Sequence, residues 1–371
     1  MSVTIDKAGK PVKTLKEFDV DLAKLHMRGQ WQYDALLERL IGGPKPAGVP
    51  YLWKWAAVEE KLREACVVMP ESFTARRNFS FINPGLERGG TTHTLLMGMQ
   101  IVMPGEIAWA HRHTIGALRF VIEGDQGLYT AVDGEPLPME TNDLVLTPSW
   151  NWHDHHNESK ARGIWLDVLD VPLMFSLNQM WYEPLGESTQ PLRERAADYV
   201  HARGALVRPA WERRPTQNFP FRYPWKEVAA QFDKMAGSSG TPYDGVVLEY
   251  VNPMTGGPAL PTLGCWIQQL NPGFEGERHR HTSSAVYYVV EGEGTTIVGD
   301  EELHWSARDA FAVPNWMWHR HRNRSRGERA VLFSVNDIPI LEPLGLYREE
   351  PVNSLRTAPP PPVPAEKGRG K

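Results

Sequence analysis

The sequence predicts a predominantly β protein with two similar barrels in one chain, preceded by helices and joined by a helical connector. Two observations carry this expectation. From residue 77 onward, short apolar runs are separated by Gly, Pro, Asn and Asp, which is typical of β-sandwiches and β-barrels. A histidine-rich phrase also occurs twice, as His111-Arg-His113 and as His279-Arg-His281. An internal repeat of this kind indicates a duplicated structural unit.

The order of elements follows from the apolar pattern along the chain. Apolar residues recur at helical spacing between Lys16 and Leu40, whereas the region around residues 225–235 is a helical stretch in a segment rich in Trp, Tyr, Arg and Pro. We therefore expect five regions: an N-terminal helical extension (1–75), a first, catalytic barrel (76–171), a connector (172–245), a second barrel (246–346) and a disordered Pro-rich tail (347–371).

Composition limits the classes of protein and partner. The chain has 371 residues, of which 41% are hydrophobic and 23% charged, with a formal net charge of -5. This balance lacks the overall basic character that favours nucleic-acid binding. Only Cys66 and Cys265 are present, so neither a disulfide framework nor a thiolate-rich metal site is expected. Without a signal peptide or an apolar run of membrane-spanning length, we expect a cytoplasmic protein with no membrane partner.

Three histidines of the first repeat form a candidate metal site. His111 and His113 would project from the same face of one strand, because side chains alternate along a strand. His153 would come from a strand that pairs nearby in a small closed barrel. A single histidine in a β protein is seldom a ligand, but the repetition of the whole arrangement favours metal binding. Three protein ligands leave coordination positions open, as a catalytic metal requires.

The phrases around these histidines resemble the two motifs of the cupin superfamily. The segments that fit are Gly105-x5-His111-x-His113 and Pro148-x-Trp150-x-x-His153-x-x-x-Asn157. Two departures matter. The Glu ligand that usually follows H-x-H is absent, with Ala117, Leu118 and Arg119 in its place, and Trp150 replaces the Gly of the second motif. With these departures the chain resembles, from about Tyr51 to Leu346, the gentisate 1,2-dioxygenase family, which includes salicylate and 1-hydroxy-2-naphthoate dioxygenases.

The resemblance implies a bicupin with two jelly-roll barrels, Fe(II) as cofactor, O2 as cosubstrate and a homotetrameric assembly. It implies opening of an ortho-hydroxybenzoate between the carboxyl-bearing and hydroxyl-bearing carbons. Three neutral imidazoles leave Fe(II) with its full double charge, which a carboxylate and an adjacent phenolate can neutralise by chelation. Gentisate is favoured, while salicylate, 5-nitrosalicylate and 1-hydroxy-2-naphthoate stay open. Histidines alone also suit Zn, Mn or Ni.

Further site residues are expected around the metal. Arg119 lies at an even offset from His113, which would place it on the same face of a continuous strand, where it could bind the substrate carboxylate; the alternative is an ion pair with Asp167 or a Glu. His155 and Asp167 could orient a ligand or handle a proton, although a surface histidine is the alternative. The resemblance adds substrate contacts at Arg76, Asn78, Leu96, Gly98 and Gln100. The alternative is an exposed edge-strand charge for Arg76 and barrel packing for Gly98 and Gln100.

The second copy offers a candidate second metal site formed by His279, His281 and His319. Tyr287 stands where the first copy has Arg119, so this barrel has less means of holding a carboxylate. We expect it to be structural or to hold a secondary metal. Two other functions compete with ring cleavage: a different cupin enzyme such as an isomerase, which usually recruits a Glu ligand, and a non-catalytic bicupin binding protein, which would not need an interior Arg119.

Overall fold

The computed structural model of the chain describes residues 13–69, 77–192, 221–235 and 237–351. It divides into two compact units, Met1–Lys45 and Pro46–Lys371. The described part of the first unit contains helix α1 (Leu15–Lys24), a 3-10 turn (Gln30–Tyr33) and helix α2 (Asp34–Arg39). A capping box begins α1: the Thr14 hydroxyl accepts from the Glu17 backbone N–H, and the Glu17 carboxylate accepts from the Thr14 N–H.

The second unit begins with strand β1 (Tyr51–Trp53) and helix α3 (Trp55–Val68), which lead into the first barrel. The strands that follow are β2 (Arg77–Ser80), β3 (Leu96–Val102), β4 (Ile107–His113), β5 (Ala117–Glu123), β6 (Leu128–Val132), β7 (Glu135–Pro138), β8 (Leu144–Thr147), β9 (His153–Asn157), β10 (Gly163–Leu169), β11 (Tyr182–Pro184) and β12 (Arg222–Tyr223). They form two sheets, in the orders β12-β8-β5-β10-β3-β2 and β11-β4-β9-β6-β7.

The second barrel repeats this plan. Its strands are β13 (Val246–Glu249), β14 (Gly264–Leu270), β15 (Arg280–His281), β16 (Ala285–Glu291), β17 (Glu293–Val298), β18 (Glu301–Ser306), β19 (Ala310–Val313), β20 (His319–Asn323), β21 (Ala330–Asn336) and β22 (Glu349–Glu350). They form sheets in the orders β1-β19-β16-β21-β14-β13, β18-β17-β20 and β15-β22. The remaining helices are α4 (Val171–Ser176), α5 (Trp225–Lys234) and α6 (Ile338–Leu341). The predicted two-barrel, predominantly β architecture is confirmed.

Some strands lie outside the ranges expected for the barrels. Strand β1, in the expected N-terminal extension, pairs with β19 of the second barrel, and β11 and β12, in the expected connector, pair with β4 and β8. The expectation of a disordered tail from residue 347 was wrong for its first residues, because β22 pairs with β15. Residues 352–371, which make up the rest of the expected tail, lie outside the described residues. Among the described helices, none combines the length and apolarity needed to cross a membrane.

One hydrophobic core joins the two large sheets and fixes which face of β5 looks into the first barrel. Phe120 stacks on Phe333 of β21 with ring centres 4.3 Å apart, and both are fully buried. Leu118 and Ile122 belong to the same core, whereas Val121 packs with the residues that fill the first barrel. Because side chains alternate along β5, Arg119 shares the interior face with Val121.

Candidate metal centre and active site

The three predicted ligands of the first barrel lie together. β4 carries His111 and His113, and β9 pairs with β4 so that His153 lies opposite His111. The ring centre of His153 lies 4.1 Å from that of His111 and 4.8 Å from that of His113. Their candidate ligand atoms all lie within 4.8 Å of one another, and all three side chains are buried. The strand alternation and pairing expected for these residues are confirmed.

Backbone carbonyls fix the orientation of each ring. The Nδ1 atoms of His111, His113 and His153 lie 2.8, 2.9 and 3.0 Å from the carbonyl oxygens of Trp109, Ile115 and Asn151. A carbonyl only accepts, so each Nδ1 donates and carries the proton, which leaves Nε2 as the lone-pair nitrogen. The Nε2 atom of His153 is buried and has no hydrogen-bond partner among the described residues. Three neutral imidazoles arranged in this way fit a divalent transition metal.

Arg119 is buried in the interior of the same barrel. Its Nε lies 3.4 Å from Oδ1 of Asp167, and Nη1 donates to the hydroxyl of Thr147. The ion pair that was the alternative for Arg119 is therefore present. Arg119 and His113 do not share a continuous strand as expected, because a bend at residues 114–116 separates β4 from β5 and the two strands belong to different sheets.

Asp167 is held from two further sides. Nδ2 of Asn78 donates to Oδ2 over 2.6 Å, and Nε1 of Trp165 donates to Oδ1 over 3.0 Å. Gly98, Asp167 and Arg119 lie side by side across β3, β10 and β5. The Asn78 amide, expected to contact the substrate, thus bonds to Asp167 in this structure.

The charges of the site influence one another. Burial lowers the pKa of Arg119 from its usual value, and the Asp167 carboxylate opposes this effect. Burial also holds the pKa of His153 well below its usual value, reinforced by the neighbouring histidines and by the positive charge of Arg119. The guanidinium and the three-histidine face therefore share one electrostatic environment.

Three residues of β3 were expected near the substrate. Gln100 is buried, and its Nε2 finds no hydrogen-bond partner in the described part of the chain. Leu96 is half-buried. A Cβ on Gly98 would lie 2.4 Å from the carbonyl oxygen of Phe79, so pairing of β2 with β3 by itself requires a glycine. Arg76, the remaining expected contact, lies outside the described residues.

His155 belongs to a buried network behind the metal face. Its Nδ1 lies 2.8 Å from the Thr130 hydroxyl, and its ring centre is 5.1 Å from that of Trp165, which in turn donates to Asp167. Trp165 thus links the two members of the expected His155 and Asp167 pair. Asp154 instead accepts from the backbone N–H of Gln190, which fits the expectation that neighbouring residues of this run face different ways.

Comparison with known proteins places the chain in a family. The cupin domain family model matches residues 98–169 and 266–336. The chain is 48% identical over 350 residues to 1-hydroxy-2-naphthoate 1,2-dioxygenase of Nocardioides sp. (strain KP7), covering 94% of this chain and 90% of the relative. It is 40% identical to 5-aminosalicylate 1,2-dioxygenase of Comamonas sp., covering 89% and 88%. It is 35% identical to gentisate 1,2 dioxygenase 1 of Aquipseudomonas alcaligenes, covering 91% and 96%.

The chain belongs to the gentisate 1,2-dioxygenase family. It is thus a member of a family of ring-cleaving dioxygenases, as the motifs around His111 and His153 predict. A solved structure agrees: the salicylate 1,2-dioxygenase of Pseudoaminobacter salicylatoxidans, crystallised as an adduct with gentisate, superposes with a TM-score of 0.79 at 28% identity. That match covers 93% of this chain and 96% of the other.

The second barrel of this gentisate 1,2-dioxygenase family member has a similar but less compact histidine cluster. The ring centre of His279 lies 4.3 Å from that of His319 and 5.8 Å from that of His281. Its Nε2 is 3.6 Å from Asp244, and its Nδ1 is 3.9 Å from Glu349. Within the described ranges, only the first-barrel trio brings three candidate ligand atoms within 4.8 Å of one another.

The buried polar network contains residues that the sequence reasoning missed, namely Thr130, Thr147 and Trp165. The repeat contained a signal for one of them, because Thr296 of the second barrel lies 2.9 Å from Nδ1 of His321 just as Thr130 contacts His155. A threonine matched with a histidine in both copies could have been found by aligning them. Nothing in the sequence distinguishes Thr147 or Trp165 from ordinary barrel residues.

Proposed function

We propose that this family member is an Fe(II)-dependent dioxygenase that opens an ortho-hydroxyarenecarboxylate between its carboxyl-bearing and hydroxyl-bearing carbons. One observation carries the proposal: a buried guanidinium, Arg119, lies in the same barrel interior as a three-histidine face that has no carboxylate ligand. The first feature suits an anionic substrate, and the second suits a metal that keeps its charge for that substrate.

The three Nε2 atoms would hold the iron, which when bound would supply the redox chemistry for the reaction of O2 with the ring. His111, His113 and His153 contribute no negative charge, and the hydrogen bonds from Nδ1 to carbonyl oxygens keep the rings from rotating. Three ligands also leave room for two substrate oxygens and a further small molecule.

The other residues bind and orient the substrate. Arg119 would donate to the substrate carboxylate, while Asp167, fixed by Asn78 and Trp165, lies beside the guanidinium as its counter-charge. The Nε2 atom of Gln100 is a buried donor that a substrate oxygen could satisfy. The apolar residues that fill this barrel exclude water and so strengthen these polar contacts.

For the substrate, we propose 1-hydroxy-2-naphthoate as the first compound to assay, ahead of the gentisate that the sequence favoured. The relative at 48% identity is named for that bicyclic acid, while the gentisate-named relative above is 35% identical. Leu96 is half-buried and Gly98 has no side chain, so both limit the ring space less than aromatic residues would.

The test is anaerobic reconstitution with Fe(II), followed by O2 uptake and mass spectrometry of the product. The panel is 1-hydroxy-2-naphthoate, gentisate, 5-aminosalicylate, salicylate and 5-nitrosalicylate. Under 18O2, we expect at least one compound to gain both oxygen atoms, with loss of the absorbance that belongs to the intact hydroxylated ring. A protein that binds iron but consumes no O2 with any of the five would contradict the proposal.

Two remaining parts of the proposal concern the rest of the chain. We propose that the second barrel is structural, because His279 faces the carboxylates of Asp244 and Glu349 and its cluster is wider; a secondary metal at His279, His281 and His319 is the alternative. We also propose the homotetramer that the family resemblance implies, which sedimentation velocity would test.

A further inference from the structure

Arg112 lies between two proposed ligands in sequence and is held between two indole rings. Its guanidinium carbon is 4.4 Å from the ring centre of Trp150 and 4.5 Å from that of Trp152. Both tryptophans belong to the segment that ends at His153. A planar cation between two aromatic faces therefore joins the segment before His153 to the strand that carries His111 and His113.

A carboxylate fixes the plane of this guanidinium. Nε and Nη2 of Arg112 lie 2.8 and 2.7 Å from Oε2 of Glu183. Strand β11 pairs with β4 so that Glu183 lies opposite Arg112. The Arg112 side chain thus joins its own strand β4 to two other segments, the loop before β9 and strand β11.

Trp150 adopts a backbone conformation that a bulky residue seldom takes. Its φ is 66°, in the left-handed region, and its backbone N–H donates to the carbonyl of His113 over 2.7 Å. This is the position at which the general cupin motif has Gly. Stacking on Arg112 gives the indole a contact that a glycine could not make, which accounts for the departure from the motif.

The second barrel repeats every part of this arrangement. The guanidinium of Arg280 lies 4.2 Å from Trp316 and 4.8 Å from Trp318, and its Nη2 is 2.6 Å from Glu350. The φ of Trp316 is 58°, and its N–H donates to the carbonyl of His281 over 2.8 Å. The arrangement therefore forms wherever the chain brings an H-R-H strand against a W-x-W-H segment.

We infer that Arg112 is a positioning residue for the metal centre. Its sandwich fastens the His153 segment to β4 and is one of the contacts that set the separation of the three Nε2 atoms. This inference rests on the proposed metal site. Arg112 is not one of the proposed ligands, and it acts through Trp150, Trp152 and the hydrogen bond from the Trp150 N–H to the His113 carbonyl.

The test compares Arg112→Lys with the matched variant Arg280→Lys. Lysine keeps the charge but has no planar group to stack between indoles. Co(II) is the probe, with affinity measured by competition against a chelator and geometry read from its visible absorption. His153→Ala identifies the part of that spectrum that belongs to the first barrel.

We expect Arg112→Lys to weaken Co(II) binding in the first barrel about ten-fold and to alter its absorption bands, whereas Arg280→Lys changes this affinity less than about two-fold. Both variants should lower the apparent Tm to a similar extent. Unchanged affinity and spectrum in folded Arg112→Lys, or an equal loss in Arg280→Lys, would overturn the inference. A wild-type protein that binds no Co(II) through His153 would instead overturn the metal site itself.

Glu183→Gln covers the case in which Arg112→Lys fails to fold. This change keeps both indole stacks and removes only the charge that orients the guanidinium. We expect a smaller loss of Co(II) affinity with the same direction of spectral change, while Glu350→Gln leaves the first-barrel spectrum as in the wild type. Identical spectra for Glu183→Gln and the wild type would count against the role of Arg112.

Discussion

The Asp170 carboxylate accepts a 2.6 Å hydrogen bond from the Thr262 hydroxyl, and this bond joins the end of the first barrel to the loop that enters the second. In the opposite direction, the hydroxyl of Thr94 in the first half donates to the carboxylate of Asp337 in the second half over 2.5 Å. Asp170 also accepts from the backbone N–H of Gly116, as Asp337 does from Ser284. The duplicated halves thus exchange equivalent carboxylate–threonine contacts.

These contacts predict a pH dependence of stability. Burial raises the pKa of Asp170 from 3.8 to about 6, although its hydrogen bonds oppose the shift, and burial also raises the pKa of Asp337. The pKa of Asp170 is higher in the folded than in the unfolded protein. Protonated Asp170 therefore stabilises the fold, and this contribution is complete below pH 3.8 and is lost as the pH rises through about 6. Two pKa units correspond to roughly 3 kcal/mol.

Asp170→Asn measures this contribution. The amide can still accept from Gly116 and can donate to the Thr262 oxygen, but it does not ionise. The apparent Tm of Asp170→Asn, relative to that of the wild type, should therefore increase from pH 4.5 to pH 7.5. Parallel pH profiles for the two proteins would contradict the assigned titration.

Replacing Gln100 by Leu is expected to affect stability and substrate binding in opposite directions. Its buried Nε2 has no hydrogen-bond partner among the described residues, so Gln100→Leu should not lower the apparent Tm and could raise stability by about 1 kcal/mol. If the amide serves the substrate, KM should rise about ten-fold. The measurements are calorimetry and initial O2-uptake rates.

Gln268, the corresponding residue of the second barrel, is the matched control. Its Nε2 donates to the Asp244 carbonyl over 3.4 Å, so Gln268→Leu removes a hydrogen bond and should lower the apparent Tm without changing KM. A loss of stability in Gln100→Leu as large as that in Gln268→Leu would mean that the Gln100 amide is already satisfied.

Arg119 should govern substrate binding and leave metal binding intact. Arg119→Gln removes a hydrogen bond between charged groups, worth about 1.5–3 kcal/mol, so KM should rise about 10- to 100-fold at unchanged iron content. Because Arg119→Gln also leaves the buried Asp167 carboxylate without its cation, the double variant with Asp167→Asn separates folding from binding. An unchanged KM in either variant excludes a role in holding the carboxylate.

The features that occur in both barrels could mostly be predicted from the sequence, whereas the contacts that occur in only one barrel mostly could not. Strand alternation and the doubled H-x-H phrase located His111 and His113, and the second motif located His153. These arguments succeed because side-chain direction in a β-strand is set by local geometry. The duplication also exposed the contrast between Arg119 and Tyr287, which no single copy would show.

The rest depends on contacts between segments that are distant in the chain. The pairing of β1 with the second barrel, the bond from Asn78 to Asp167 and the contribution of Glu183 each join residues whose proximity arises only on closing the barrels. The strand position expected for Arg119 was wrong because a bend at residues 114–116 interrupts the strand, a feature that side-chain alternation alone does not reveal.

Metal content should distinguish the two histidine clusters. His111→Ala removes a ligand from the compact trio and should abolish both iron binding and activity, whereas His279→Ala should leave one iron per chain and full activity. Plasma emission spectrometry after reconstitution and gel filtration gives the ratio. Two metal ions per wild-type chain, falling to one in each variant, would show that the second barrel also binds metal.

Leu96 should control the size of ring that the site accepts. Leu96→Trp adds an indole at a half-buried position of β3. Leu96 lies on the same face of the strand as Gly98 and is paired with Leu169 of β10. If the substrate extends towards this residue, kcat/KM for 1-hydroxy-2-naphthoate should fall by about ten-fold or more, while the value for gentisate changes less, because only the bicyclic ring needs the added space. Using both substrates on one variant controls for any loss of folded protein or iron. An equal decrease for the two acids would place Leu96 outside the ring-binding region and return the choice of substrate to residues nearer Arg119.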